Sequence, residues 1–155
     1  MADWVVYDNV ASGTSSTSLK FFNDDEATSG VHNTDMPTKS QLDYDFEVHE
    51  IILRPSSDIA RADLLKLVEG SVVKMKISDT DVLKVPTFMC LGDFHFSTEG
   101  TAASGEIMSA SNYGGGFALR EPLRIPRDTK FEVSLELESA LGTSTDLICC
   151  LRGRR

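Results

Sequence analysis

The sequence predicts an all-β domain of packed antiparallel sheets. Residues 131–138 (FEVSLELE) alternate without a break, Phe131, Val133, Leu135 and Leu137 on one face and Glu132, Ser134, Glu136 and Glu138 on the other. Several other segments alternate in the same way, the period of a half-buried strand. Clusters of Ser, Thr, Gly and Asp at 11–18, 23–30 and 97–106 punctuate them, as turn residues do between short strands.

Taken in order, residues 4–7 (WVVY) and 18–22 (SLKFF) are the first candidate strands. Residues 1–17 as a whole are polar enough to be a short N-terminal arm. Residues 42–53 alternate through Leu42, Tyr44, Phe46 and Val48 and then slip: Glu50 falls where an apolar residue is due, and Ile51 and Leu53 resume. A bulge near His49 and Glu50 produces such a slip and bends a long strand. Residues 57–69 break the β pattern. Ser or Asp can cap the start, Ile59, Ala62, Leu65 and Val68 recur at helical spacing, and Gly70 follows, so one core-packed helix is expected. Its charges, Asp58, Arg61, Asp63, Lys66 and Glu69, nearly balance, unlike those of a basic membrane-surface helix.

Strands follow at 71–77, where Val73, Met75 and Ile77 point inward, and at 82–91 and 93–97. Residues 117–125 and 130–138 make two more, joined at a corner in which Pro126, with its fixed φ, suits the second position of a turn through Arg127 and Asp128. This corner reads as a hairpin, with Arg120, Arg124 and Arg127 beside Glu132, Glu136 and Glu138. The last strand, 145–152, holds five consecutive apolar residues, Leu147, Ile148, Cys149, Cys150 and Leu151. An antiparallel strand with one wet face should alternate. These five are therefore candidate subunit contacts, on a strand that is either covered on both faces or turned toward another chain.

Eight or nine strands with one helix inserted after an early long strand favour a single jelly-roll β-sandwich or barrel of about eight antiparallel strands. The Cys, Trp, Cys pattern of immunoglobulin-like domains is missing, with Trp4 far from every cysteine. A chain of 155 residues, 41% hydrophobic and 25% charged, suits one domain over 1–155. No run of 18 uncharged apolar residues occurs, and the first ten residues lack the basic and apolar regions of a leader, so neither membrane insertion nor export is expected. Cys90, Cys149 and Cys150 fit neither a disulfide framework nor a metal spacing and read as free thiols.

The net charge of −9 is uneven: residues 1–50 carry ten acids against two lysines, whereas 120–155 carry six acids against seven bases. An acidic body repels polyanions. Only the basic C-terminal end at 152–155, with Arg152, Arg154 and Arg155, is a candidate contact for a polyanion or a neighbouring acidic surface.

Residues that could carry chemistry are scattered. His32, His49 and His95 have no partner at metal-ligand spacing, although Asp93 and His95 share a strand face. Asp43, Asp45 and Glu47 line one strand face instead of facing each other across a cleft. Asn23, Asp24, Asp25 and Glu26 offer hard oxygen ligands without the spacing of a calcium loop. Residues 112–117 (NYGGGF) lead into a strand and supply no helix N-terminus for a phosphate. The expectation is a protein that is not an enzyme and needs no cofactor or metal.

Five segments together carry a resemblance: VHNTDMPTKSQLDYDFEVHEIIL, SDIARADLLKLVEGSVVKMKIS, DVLKVPTFMCLG, FALREPLRIPRDTKFEVSLELE and LICCLRGRR. In this combination the chain resembles jelly-roll coat (capsid) proteins of icosahedral bacteriophages, over roughly residues 19–153. Proteins of that kind often have a Gly-rich stretch after the KVP strand, where this chain has MCLGDFHFSTEG instead. The resemblance implies a virion structural protein made in the host cytoplasm, whose partners are copies of itself and other virion proteins. It implies contact with the genome only through the C-terminal arginines. The alternative is a receptor- or carbohydrate-binding jelly-roll module, such as a spike, vertex or decoration protein. That reading expects displayed aromatic residues, for which Trp4, Tyr7 and Tyr113 are available.

Overall fold

The computed structural model describes residues 2–92, 94–99, 107–112 and 115–155. In chain order these form β1 (Asp3–Ala11), β2 (Ser18–Phe21), α1 (Glu26–Ser29), β3 (Phe46–Pro55), α2 (Arg61–Glu69), β4 (Ser71–Ile77) and β5 (Thr80–Pro86). A 3-10 turn at Thr87–Met89 follows, then β6 (Phe94–Glu99), β7 (Ile107–Asn112), β8 (Phe117–Ile125), β9 (Phe131–Leu137) and β10 (Asp146–Arg154).

Two antiparallel sheets of four strands carry the domain, in the orders β1-β10-β3-β8 and β2-β9-β4-β5, while β6 and β7 pair as a separate ribbon. With that ribbon set aside, the eight remaining strands pair from the two ends of the chain inward: β1 with β10, β2 with β9, β3 with β8, and β4 with β5. Apolar alternation explains the layering. Val48, Ile51, Leu53, Leu147, Cys149 and Leu151 point inward from the first sheet, and Phe21, Val73, Met75, Phe131, Val133 and Leu135 from the second. One continuous core results. The Phe22 and Phe131 rings meet within it at 5.5 Å between centroids.

The strand bulge lies where the sequence placed it. The β3–β8 register shifts between Val48 and Glu50, and the β10–β3 register shifts at Arg152/Gly153 opposite the same point. There Gly153 lies so close to β3 that a Cβ would stand 1.7 Å from the carbonyl oxygen of Glu47. The β4–β5 hairpin turns on Ser78 and Asp79, both at positive φ (50° and 62°), the conformation that matches the twist of paired strands.

Several expectations are corrected. The helix expected over 57–69 begins at Arg61: Ser56 donates its hydroxyl to Asp58, the Ile59 N–H reaches the Ser56 carbonyl, and Ala60 stands at the N-cap without a side-chain cap. Its buried face is Asp63, Leu64 and Leu67; of the expected stripe Ile59 is buried and Val68 packs against the core, whereas Ala62 and Leu65 are exposed. Within the expected arm, Asp3–Ala11 form β1, which pairs with β10 along its whole length, through Arg154. Of the basic end, Arg152–Arg154 belong to β10. Residues 42–45 precede β3 instead of belonging to it, 107–112 form a strand that was not expected, and 23–30 hold the one-turn helix α1, capped by Asp25.

The Pro126 corner is not a hairpin. β8 and β9 belong to different sheets, and Pro126 is the first residue of a turn closed by the Thr129 N–H at 3.2 Å, with Asp128 at φ 56°. The charged faces of the two strands therefore diverge. Arg124 pairs with Asp45 at 3.0 Å, the Arg127 N–H also reaches Asp45, and Glu132 pairs with Lys20.

Two buried carboxylates hold the loops at opposite ends of the sandwich. Asp63, 2% exposed, accepts the N–H groups of Gly142 and Thr143 at 2.7 and 3.0 Å, with the Lys66 ammonium 3.7 Å away. Asp8, 3% exposed, accepts the N–H of Phe22, a buried aromatic held at φ 61°. Burial pushes the Asp8 carboxyl up to about 6, against the lowering effect of its bonds from Phe22, Thr34 and Asn9. Asp35 is raised by the same cause. A raised carboxyl favours the folded state when protonated. Its contribution is complete below the unfolded value of 3.8 and is lost as pH rises through about 6. Stability measured by urea unfolding is expected to rise by about 1.4 kcal/mol between pH 7.5 and 5. Asp8→Asn should remove most of that slope; an unchanged slope would show that Asp8 is not its source.

Candidate interaction surfaces

The five apolar residues of the last strand separate by face. Leu147, Cys149 and Leu151 are at most 1% exposed and belong to the core, which narrows the candidate subunit contacts to Ile148 and Cys150 on the outer face. Burial pushes the Cys90 thiol up to about 12 and raises Cys149 and Cys150 as well, so these thiols are poor nucleophiles.

Register builds an apolar strip around those two residues. Cys150 lies between Tyr7 of β1 and Ile52 of β3, and Ile148 lies between Asn9 and Arg54. Val5, exposed beside Arg152, extends the strip, and Tyr7 reaches over to Val31 by donating its hydroxyl to the Val31 carbonyl. The outer face of the other sheet is different: Lys20, Lys74 and Lys76 alternate with Glu132 and Glu136 across β2, β9 and β4. Such a charge ladder suits water.

The C-terminal arginines are held in place. Arg152 stands 3.6 Å from Glu50 and Arg154 3.5 Å from Asp3. The Arg155 guanidinium lies 3.7 Å from the Trp4 ring centre and 5.0 Å from that of Tyr44, and its backbone exchanges hydrogen bonds with Ala2. Trp4 donates its indole N–H to the Tyr44 hydroxyl at 3.0 Å. Beside this cluster a shallow cleft of about 380 Å³ is lined by Asp3, Trp4, Val5, Tyr7, Asp35 and Arg152.

Further exposed apolar side chains on α2 and the 3-10 turn were not read from the sequence. Leu65 of α2, with Phe88 and Met89 of the 3-10 turn, leaves 44%, 53% and 42% of its surface exposed respectively. Ser71 ties the two elements together, donating to the Leu67 carbonyl and bonding the Thr87 hydroxyl. Glu69 and Glu138 border the hollow next to Leu65. The signal for Leu65 was the helical phase: with Leu64 and Leu67 inward, Leu65 has to face out.

The remaining candidate residues do not converge. Asp24 and Asp25 serve α1: Asp24 accepts the Ser29 hydroxyl and the Asp25 N–H, which hold it below the usual carboxylate range, and Asp25 caps the Thr28 N–H. Bonds from Arg127 and Arg124 do the same for Asp45. His49 lies 3.7 Å from Glu47, and His32 is exposed. The pairing of Asp93 with His95, and Tyr113, lie outside the described residues. Among the described residues no group of three His, Cys, Asp or Glu side chains is placed to hold a metal, and no helix is long and apolar enough to cross a membrane.

Comparison with known proteins finds no matching family model, no similar curated protein and no similar solved structure.

Proposed function

We propose that the chain is a bacteriophage coat subunit, folded as a single jelly roll, which assembles with its own copies into an icosahedral shell. The observation that carries this reading is the nested pairing of eight strands, first with last and so on inward, across two four-stranded sheets. That order is the one expected of a jelly roll, an architecture that suits capsid subunits because its loops and edges can vary around a rigid sandwich. Support also comes from where apolar side chains remain exposed: at β1–β10 and at α2 with the 3-10 turn, two separate places. Contiguous exposed apolar surface marks contact sites, and repeated contacts between identical subunits build closed assemblies.

In this reading the protein resides in the virion and is made in the host cytoplasm, without membrane insertion, and other virion proteins join its own copies as partners. Arg152 and Arg154 are the groups through which it would meet a genome or an acidic neighbour. No catalytic step or cofactor is assigned to it. Sedimentation velocity over a hundredfold concentration range is expected to show large, concentration-dependent species; a monomer throughout would overturn the reading.

A second reading rests on the cleft beside Trp4. An aromatic ring bordered by carboxylates and an arginine is the chemistry that holds a sugar, so the chain could instead be a carbohydrate-binding spike, vertex or decoration module. Specific glycan retention on an array by a non-assembling monomer is the result that would favour it.

A further inference from the structure

Residues 23–35 lie along the outer edge of β1, the side turned away from β10. Asn9 donates its N–H to the Asn33 carbonyl at 2.7 Å, Asp35 donates its N–H to the Tyr7 carbonyl at 3.3 Å, and the Thr34 hydroxyl reaches the same carbonyl at 3.2 Å. In return the Tyr7 N–H reaches the Asp35 carboxylate at 2.8 Å, and the Tyr7 hydroxyl donates to the Val31 carbonyl. The segment is pinned at its ends by Phe22 and Met36, both fully buried, and closes on itself where the Glu26 N–H meets the Met36 carbonyl. Between those pins it buries no apolar side chain: Ala27 and Val31 are exposed, and Thr34 is the one buried residue. Polar contacts hold it, and such segments open at lower free energy than a packed strand.

Two of those contacts run through carboxylates in acidic surroundings. Asp8, on the inward face of β1, accepts the Phe22 N–H at 2.7 Å and is faced by Asp24 of the segment and by the Cys149 thiol. Asp35 is faced by Glu26, by the hydroxyls of Tyr7 and Tyr44 and by the Cys150 thiol. Lys39 faces Asp24, and Arg152 lines the same cleft as Asp35 but stands 3.6 Å from Glu50.

We propose that residues 23–35 are a strap that guards the β1 edge and lets go of it as pH rises, because ionised Asp8 and Asp35 are held against Asp24 and Glu26. The inference is independent of the coat-subunit reading. Burial raises both carboxyls, Asp8 to about 6. A raised carboxyl favours the closed strap when protonated. For Asp8 that contribution is complete below the open-state value of 3.8 and is lost as pH rises through about 6. Opening hydrates both carboxylates and bares the outward N–H and C=O groups of Tyr7 and Asn9. A bared strand edge is a template for further pairing, so closing the strap protects the sheet and opening it exposes the edge.

The test is amide hydrogen exchange of the full chain at pH 5 and pH 7.5, each rate divided by that of an unstructured amide. The Tyr7 and Asn9 amides face the strap, whereas those of Val6 and Asp8 face β10 by the alternation of an antiparallel ladder. Protection at Tyr7 and Asn9 is expected to stay below that at Val6 and Asp8 and to fall about tenfold between the two pH values. Asp8→Asn, which keeps an acceptor oxygen for the Phe22 N–H, should remove most of that fall, and Asp35→Asn part of it. His32→Gln, at an exposed position on the strap, should leave it unchanged. Equal protection of all four amides at both pH values would mean that the strap opens only with the whole fold. Protection that ignores pH, or a full fall that persists in both Asn variants, would mean that these carboxylates do not govern it. Each of these results overturns the proposal.

Discussion

Gly153→Ala is expected to lower the unfolding free energy by about 3 kcal/mol or more. The new Cβ would stand 1.7 Å from the Glu47 carbonyl oxygen, 2.8 Å from its carbon and 3.2 Å from the Val48 Cα. These are backbone atoms of a paired strand and cannot swing aside as a side-chain tip can. The methyl group can be accommodated only by opening the β10–β3 seam at the bulge, which joins two central strands of the first sheet. Gly142→Ala is the control, since its Cβ would meet only an Asp63 oxygen at an ordinary 3.5 Å. Urea unfolding of the two variants should differ accordingly; equal midpoints would mean that the close approach of β10 to β3 is wrong.

Asp63→Ala is expected to cost about 3 kcal/mol, because it strips the acceptor from two loop N–H groups and leaves Lys66 without its buried counter-charge. Asp63→Asn keeps one acceptor oxygen and should cost roughly half as much. The damage should be local before it is global. Hydrogen exchange at the Gly142 and Thr143 amides is expected to accelerate in both variants, and unchanged protection there would contradict the role given to this carboxylate.

Asp63 also illustrates what a sequence can and cannot disclose. Its neighbours Arg61, Lys66 and Glu69 make it look like one more charge on a wet helical face, and nothing local says that a loop eighty residues away will present two amides to it. The same gap explains the helix phase. Both Ile59-Ala62-Leu65-Val68 and Leu64-Leu67 are periodic, and only the long-range neighbours decide that Ile59, Leu64 and Leu67 are buried while Ala62 and Leu65 stay exposed. Long-range partners likewise separated Leu147, Cys149 and Leu151 from Ile148 and Cys150. The run is apolar on both faces, and the neighbours Tyr7 and Ile52 explain why the outer face is apolar too.

Strands whose own pattern fixes their faces were legible. Val73 with Met75, and Phe131, Val133 and Leu135, are buried as their alternation requires, and the slip at His49 and Glu50 is a real bulge. The Pro126 corner was misread for a physical reason. A turn motif shows that the chain reverses, but whether it returns within one sheet or crosses to the other depends on which strands stand beside it. Here β8 joins β3 and β9 joins β4, so the corner bridges the layers.

Electron microscopy of the purified protein is the most direct measurement of the central claim, that this sandwich is built to repeat. Closed particles of uniform diameter are the expected result. A field of monodisperse monomers at every concentration and ionic strength would contradict it.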